Sequence, residues 1–155
     1  MSVDKKGTLT YVQLMKEDLA VFRLVPEDGV IPAYEAGQFI TLGMPIQSEN
    51  NKIIRRAYSI ASHPENKKYI ELVIRWVRKP LPGRVTSALF NSGEGDEVSW
   101  IPPTGAALKI NEKMGDGSKD ERRIVCVSGG TGIAPFMGFA RHLRAIGDKR
   151  EIVCL

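Results

Sequence analysis

Between residues 8 and 101, short stretches of β-branched, aromatic and aliphatic residues alternate with polar positions and are divided by glycine, proline, asparagine and charged residues. Six read as strands, over 8–14, 20–24, 38–44, 56–61, 69–77 and 97–101. Strands in such close succession predict an antiparallel all-β unit closed into a Greek-key barrel. Between the last two, Val85, Ala88 and Leu89 share a helical face with Thr86 and Ser87 near its start, which predicts one short helix over 85–91 with Thr86 as its N-cap. The pattern then changes. Residues 111–123 are polar, contain two glycines and show no apolar period, so they read as a linker or excursion loop.

Beyond the linker, 124–127 is a continuous apolar run, 128–132 a glycine-rich turn, 135–146 a helix and 151–155 a second apolar strand. The strands lack alternation, as expected of a parallel sheet covered on both faces. The helix has Pro135 in its first turn, an apolar stripe of Phe136, Phe139, Ala140, Leu143 and Ile146, and Gly147 at its end. The expected organisation is a barrel over 1–110, a linker over 111–123 and one βαβ unit over 124–155, the first part of a parallel α/β domain that looks truncated at its second strand.

Composition narrows the classes. With 43% hydrophobic and 26% charged residues, 155 positions suffice for a packed core and predict one domain or slightly more. No apolar leader core and no run of eighteen apolar residues occurs, so a soluble, cytoplasmic protein is expected, with no membrane partner. Cys126 and Cys154 each lie in an apolar run and read as small buried thiols. Two cysteines cannot hold an iron-sulfur cluster, and no metal is expected. The net charge of +4 is spread over Arg55, Arg56, Lys67, Lys68, Arg75, Arg78, Lys79 and Arg84. Such a face attracts an acidic protein or phosphates, an ordinary solvated surface being the alternative. No basic helix or aromatic-rich strand signature accompanies the charge, so nucleic acid is not expected.

Three segments carry candidate chemistry. In Arg56-Ala57-Tyr58-Ser59, strand alternation sends Arg56 and Tyr58 to one side and Ala57 and Ser59 to the other. A half-buried strand with a surface arginine is the alternative on these four residues alone. Gly83-Arg84-Val85-Thr86 opens the short helix, where unpaired N–H groups and the positive dipole end favour a phosphate and glycine permits close approach. Ser128-Gly129-Gly130-Thr131-Gly132-Ile133-Ala134-Pro135 joins a strand to a helix. It lacks the Lys-Ser or Lys-Thr of a Walker loop, and Pro135 stands where a dinucleotide fingerprint has its third glycine.

With Ala36-Gly37-Gln38-Phe39 ahead of them, Ile70-Glu71-Leu72-Val73-Ile74-Arg75-Trp76-Val77 between them and Gly95-Asp96-Glu97-Val98 after, these segments follow in the order of the ferredoxin-NADP reductase family. The chain resembles its bacterial ferredoxin (flavodoxin)-NADP reductases over nearly its whole length. The resemblance implies that Arg56 pairs with the FAD pyrophosphate, that Tyr58 lies against the isoalloxazine and that Ser59 sits by the flavin N5, making Ser59 and Tyr58 the catalytic candidates. Ala57, Val73, Ile74, Arg75 and Trp76 would contact FAD, with a barrel core or rim position the alternative for Trp76. Gly83, Arg84, Val85 and Thr86 would receive the pyrophosphate. Gly129, Gly130, Thr131 and Gly132 would meet the phosphates of NADP(H) or NAD(H), with Thr131 near both flavin and nicotinamide.

The implied activity is electron transfer between NADP(H) and an acidic one-electron carrier, ferredoxin or flavodoxin, with Arg75, Arg78, Lys79 and Arg84 as candidates for steering it. Two readings stay open beside it: a flavoprotein electron-transfer subunit of a multicomponent reductase or oxygenase, and a non-catalytic phosphate-binding β-barrel module. Pro102-Pro103-Thr104-Gly105-Ala106-Ala107 departs from the family's G-P-x-G-x-F, so no aromatic is expected there. The segments that in the family read the 2′-phosphate and cover the flavin are expected beyond Leu155, which leaves NAD versus NADP open.

Overall fold

The computed structural model describes residues 4–106 and 108–155. Met1 to Val3, the head of the stretch read for a leader, and Ala107, the end of the departing segment, lie outside the described residues. Six strands form one antiparallel sheet: β1 (Lys5–Lys16), β2 (Leu19–Pro26), β3 (Phe39–Ile46), β4 (Lys52–Ser59), β5 (Ile70–Arg75) and β6 (Glu97–Thr104), in the order β4-β3-β6-β1-β2-β5. The alternation seen in the sequence is the cause of the layering. Along β2, Ala20, Phe22 and Leu24 point inward and are fully buried, and on β5 Ile70, Leu72 and Ile74 do the same. With Leu9, Ile40, Leu42, Val98 and Trp100 they make the main core.

The two edge strands, β4 and β5, meet only at an isolated bridge between Ile60 and Leu72, where the Ala61 N–H donates to the Glu71 carbonyl at 2.8 Å. The expected closed barrel is thus left open: a single bridge just past the end of β4 ties the two edges, and β4 and β5 run on either side of an opening. Helix α1 (Arg84–Phe90) packs on β3 and β4 and buries Val85, Thr86 and Leu89. Its N-cap is Gly83, not Thr86. Thr86 is already the third helical residue, and its hydroxyl donates back to the Gly83 carbonyl at 3.1 Å, so it caps no N–H group.

After β6 the chain turns through a tight excursion closed by a bridge between Lys113 and Lys119. It then enters β7 (Ile124–Cys126), a 3-10 turn (Gly130–Ile133), α2 (Ala134–Ala145) and β8 (Ile152–Cys154). β7 and β8 pair in parallel with Ile124 opposite Ile152 and Cys126 opposite Cys154. Helix α2 buries Ala134, Pro135, Gly138, Phe139 and Leu143, and Gly147 at φ 72° follows the helix end. A second core joins Ala36, Cys126 and Phe139 with Ile110, Ile124, Phe136 and Ile152.

Three expectations for this unit change. Ile146 is 49% exposed because the helix has already ended at Ala145. Val125 and Val127 are 56% and 72% exposed, since α2 covers only one face of the two strands among the described residues. Cys126 is buried as expected, but Cys154 is exposed.

The units touch closely. Gly37 has φ 95°, and a Cβ there would collide with the Leu108 carbonyl oxygen and lie 2.9 Å from the Phe139 ring. Only glycine admits both the backbone and the contact.

Candidate functional site

The opening between the edge strands is a groove of about 500 Å³. Arg56, Ala57 and Tyr58 of β4 form one wall and Val73, Ile74 and Arg75 of β5 the other, with Val77, Gly83, Arg84, Val85 and Thr86 at the approach to α1 and Thr131 from the second unit. Segments far apart in sequence meet here because the sheet curls until its edges face each other without pairing. The same geometry explains why Ala57 lines the groove beside Arg56 and Tyr58 despite alternation: a gap between edge strands is bounded by residues from either face.

The groove is bare of internal partners at the positions that matter for a ligand. The Tyr58 hydroxyl is the one buried side-chain polar atom among the described residues without a hydrogen-bond partner. Burial pushes its pKa up to about 12, against a smaller opposing pull from Arg56, so it stays a neutral donor. The Arg56 guanidinium donates to the Arg55 carbonyl at 2.8 Å and meets no carboxylate among the described residues. At Gly83, whose N–H donates to the Val77 carbonyl at 2.8 Å, a Cβ would lie 2.6 Å from Thr86 Oγ1 and 3.2 Å from Val77 Cβ. A side chain at position 83 would therefore clash with Thr86 and Val77, so the turn into α1 at this edge of the groove requires glycine.

The other arginines are committed. Arg75 pairs with Asp18 at 3.5 Å, Arg84 pairs with Glu49, and Arg78 pairs with Glu17 at 3.4 Å while stacking 4.3 Å from the centre of the Trp76 ring. Three of the four residues expected to form a positive steering patch thus have carboxylate partners, which reduces the net field they present.

Two expected contacts lie outside the groove. Trp76, just past β5, turns onto α1, where its Nε1 donates to Ser87 Oγ at 3.0 Å and its ring lies 5.4 Å from that of Phe90. Ser59, the half-buried last residue of β4, sits opposite Phe39 and does not line the groove. Val77 lines it without having been singled out, although it closes the same apolar segment. Of the glycine-rich turn, Thr131 alone reaches the groove. Gly129 precedes the 3-10 turn and Gly130 and Gly132 lie within it, all exposed, with Gly130 at φ 55° and a Cβ there 3.8 Å from Arg75 Nη1. A larger hollow, about 860 Å³, lies between α2 and the loop before β5 and contains none of these residues.

A family model described as an oxidoreductase FAD-binding domain matches residues 6–108. A flavohemoprotein of Halalkalibacterium halodurans is 33% identical over 137 residues, 85% of this chain and 31% of that protein. The electron transfer subunit of a Streptococcus pneumoniae dihydroorotate dehydrogenase B (NAD(+)) is 27% identical over 84% of this chain and 47% of that one. The chain thus spans less than half the length of these curated relatives. Among solved structures, an Amycolatopsis cytochrome P450 reductase superposes with TM-score 0.79 and 28% identity, covering 98% of this chain and 42% of that one. The flavohem-like FAD/NAD binding domain of a Vibrio cholerae nitric oxide dioxygenase shares the fold, with TM-score 0.81 at 23% identity over 97% and 60% of the two chains. No described helix is long and apolar enough to cross a membrane.

Proposed function

The chain belongs to the oxidoreductase FAD-binding domain family, and from that premise we propose that the groove between β4 and β5 is the flavin site of a reductase that takes electrons from NADPH or NADH. The observation that carries this reading is the meeting of Arg56–Tyr58, Val73–Arg75, Gly83–Thr86 and Thr131 around one opening. Their chemistry fits FAD. Arg56 offers a planar fork of donors without a competing carboxylate, suited to a pyrophosphate. Gly83 to Thr86 line the groove at the start of α1, where a phosphate would meet the helix's positive end. The unpartnered Tyr58 hydroxyl and its ring suit a ligand that is aromatic at one end and hydroxylated along its chain.

When bound, FAD supplies the redox chemistry, accepting two electrons as hydride and releasing them singly. The chain's residues orient and shield. Arg56 and the Gly83–Thr86 segment would hold the pyrophosphate, Tyr58 would carry the ring system, and Val73 and Ile74 would exclude water along β5. Gly129, Gly130 and Gly132 would let the dinucleotide phosphates approach the backbone, while Thr131 would stand where nicotinamide and flavin must meet.

The finer reading is electron delivery to an acidic one-electron carrier, ferredoxin or flavodoxin. A second acceptor is a partner protein of a multicomponent reductase or oxygenase, which the carboxylate partners of Arg75, Arg78 and Arg84 accommodate because they weaken a steering patch built from those residues. The relative named as an electron transfer subunit supports the same reading.

Purified protein should be yellow or take up added FAD, and anaerobic addition of NADPH or NADH should bleach it. Failure to bind FAD overturns the flavin site, and bound FAD that neither nucleotide bleaches overturns the nicotinamide half. Reduction of ferredoxin and flavodoxin, measured against ionic strength, separates the two acceptor readings, because a carrier steered by surface charge is reduced more slowly as salt rises.

A further inference from the structure

Away from the groove, one buried carboxylate ties the two units together. Glu71 of β5 has a side chain only 5% exposed, and it accepts from Arg23 Nε at 2.9 Å and from Arg141 Nη1 of α2 at 2.6 Å. The same Arg141 nitrogen donates to the Ala61 carbonyl at 2.8 Å. One turn earlier on α2, a Cβ at Gly138 would lie 3.1 Å from the carbonyl oxygens of both Ile60 and Ser62. Helix α2 is therefore seated on the 60–62 segment that bridges the two edge strands. His142 adds a 2.8 Å contact from Nδ1 to Glu65.

Further contacts hold Arg23 and the Glu71 backbone. The Arg23 guanidinium lies 4.4 Å and 4.2 Å from the ring centres of Tyr11 and Tyr69, and Ser62 Oγ accepts from the Glu71 N–H at 3.1 Å. An ion pair to a buried carboxylate whose guanidinium partners stay 32% and 40% exposed contributes little net stability. What it supplies here is direction: a hydrogen-bonded carboxylate accepts α2 in one orientation, where an apolar patch would tolerate sliding.

That orientation matters because α2 begins directly after the 3-10 turn that contains Thr131. Strand β5 is the common reference. Glu71, Val73 and Arg75 alternate with the inward-facing Leu72 and Ile74, so the strand face that anchors α2 also lines the groove two and four residues later.

We propose that Glu71 and Arg141 are positioning residues: a charged latch, remote from the groove, sets α2 against β5 and so holds the Gly130–Thr131 turn at the distance the flavin-to-nicotinamide step requires. The inference rests on the reading of the groove and turn given above. Neither residue lines the groove.

The test compares wild type with Arg141→Ala, Arg141→Lys and Glu71→Gln in the FAD-loaded protein by two readouts. Amide hydrogen exchange should rise about tenfold or more across α2 and at the Gly132 amide in Arg141→Ala and Glu71→Gln, with β1 to β3 unchanged and FAD retained. The limiting rate of anaerobic bleaching should fall roughly 10²-fold, as a displacement near 1 Å commonly costs, with Arg141→Lys recovering part of the loss. Unchanged exchange in α2, or bleaching by Arg141→Ala at the wild-type rate, overturns the latch. Faster exchange throughout the barrel with loss of FAD also overturns it, by showing a general structural role. If neither nucleotide bleaches the wild type, the nicotinamide reading has failed, and the exchange measurement still decides whether the latch seats α2.

Discussion

The indole of Trp76 donates a 3.0 Å hydrogen bond to Ser87 Oγ, tying the chain just past β5 to the middle of α1. The contact turns the ring away from the groove and makes Trp76 a brace for the helix. Trp76→Phe should lower stability by about 1 kcal/mol, the usual net value of one hydrogen bond, and leave flavin affinity nearly unchanged. Denaturant unfolding together with FAD titration checks both halves.

Arg56 is expected to matter for ligand and not for fold, because its guanidinium makes no ion pair within the described chain. Arg56→Ala should weaken FAD binding by about 1.5 to 3 kcal/mol, the range for hydrogen bonds to charged groups, or roughly 10- to 150-fold in Kd. Unfolding of the flavin-free protein should be unaffected. Retention of flavin through dialysis as tight as in wild type would contradict the assignment.

Tyr58→Phe should separate the same two quantities in a different way. The hydroxyl is buried without a partner, so removing it should leave the flavin-free protein as stable or more so. FAD affinity should fall by about 0.5 to 1.5 kcal/mol if the ligand supplies the missing partner. Burial holds this tyrosine protonated up to about pH 12, and Tyr34 likewise up to about 12 despite its bond with Ser62. A spectrophotometric titration should therefore show a late-ionising fraction that shrinks in the Phe variant.

The pH dependence of stability should carry the signature of Glu71. Burial alone would raise its pKa, but the hydrogen bonds from Arg141 and Arg23 outweigh burial and hold the carboxyl below its ordinary value of 4.5. A carboxyl lowered on folding binds fewer protons in the folded than in the unfolded state. Its contribution is complete above about 4.5 and is lost as pH falls through the folded value. Denaturant unfolding followed downward from neutral pH should show this loss, and Glu71→Gln should remove the part due to this residue. An unchanged pH profile in the variant would mean the ion pairs do not survive in solution.

Gly37 is a check on how the units fit. With φ at 95° and the Leu108 carbonyl and Phe139 ring against it, Gly37→Ala should destabilise by at least about 1 to 3 kcal/mol, the cost of a strained backbone position. Thermal unfolding measures it. A neutral effect would show that the contact between the units yields easily.

Much of this protein was legible from the chain alone, because the information is local. The inward-facing Ala20, Phe22 and Leu24, the apolar spacing of 85–89, and Pro135 and Gly147 bracketing α2 act over a few residues, where periodicity and turn chemistry operate. The order of the motifs likewise pointed to residues that meet, from Arg56 and Tyr58 to Thr131. Tertiary structure alone decided the rest. Whether β4 and β5 pair along their length or at one bridge depends on the accumulated curl and register of six strands, and that decides that the groove exists at all. Trp76 left the groove because α1 offered a hydroxyl and an aromatic face, and Arg75 and Arg84 lost their free charge to Asp18 and Glu49. Glu71 and Arg141, seventy residues apart, look like two ordinary surface charges in the sequence. They become one ion pair, with the carboxylate buried and the guanidinium part-exposed, only because α2 docks on the 60–62 segment, a relationship that no local pattern encodes.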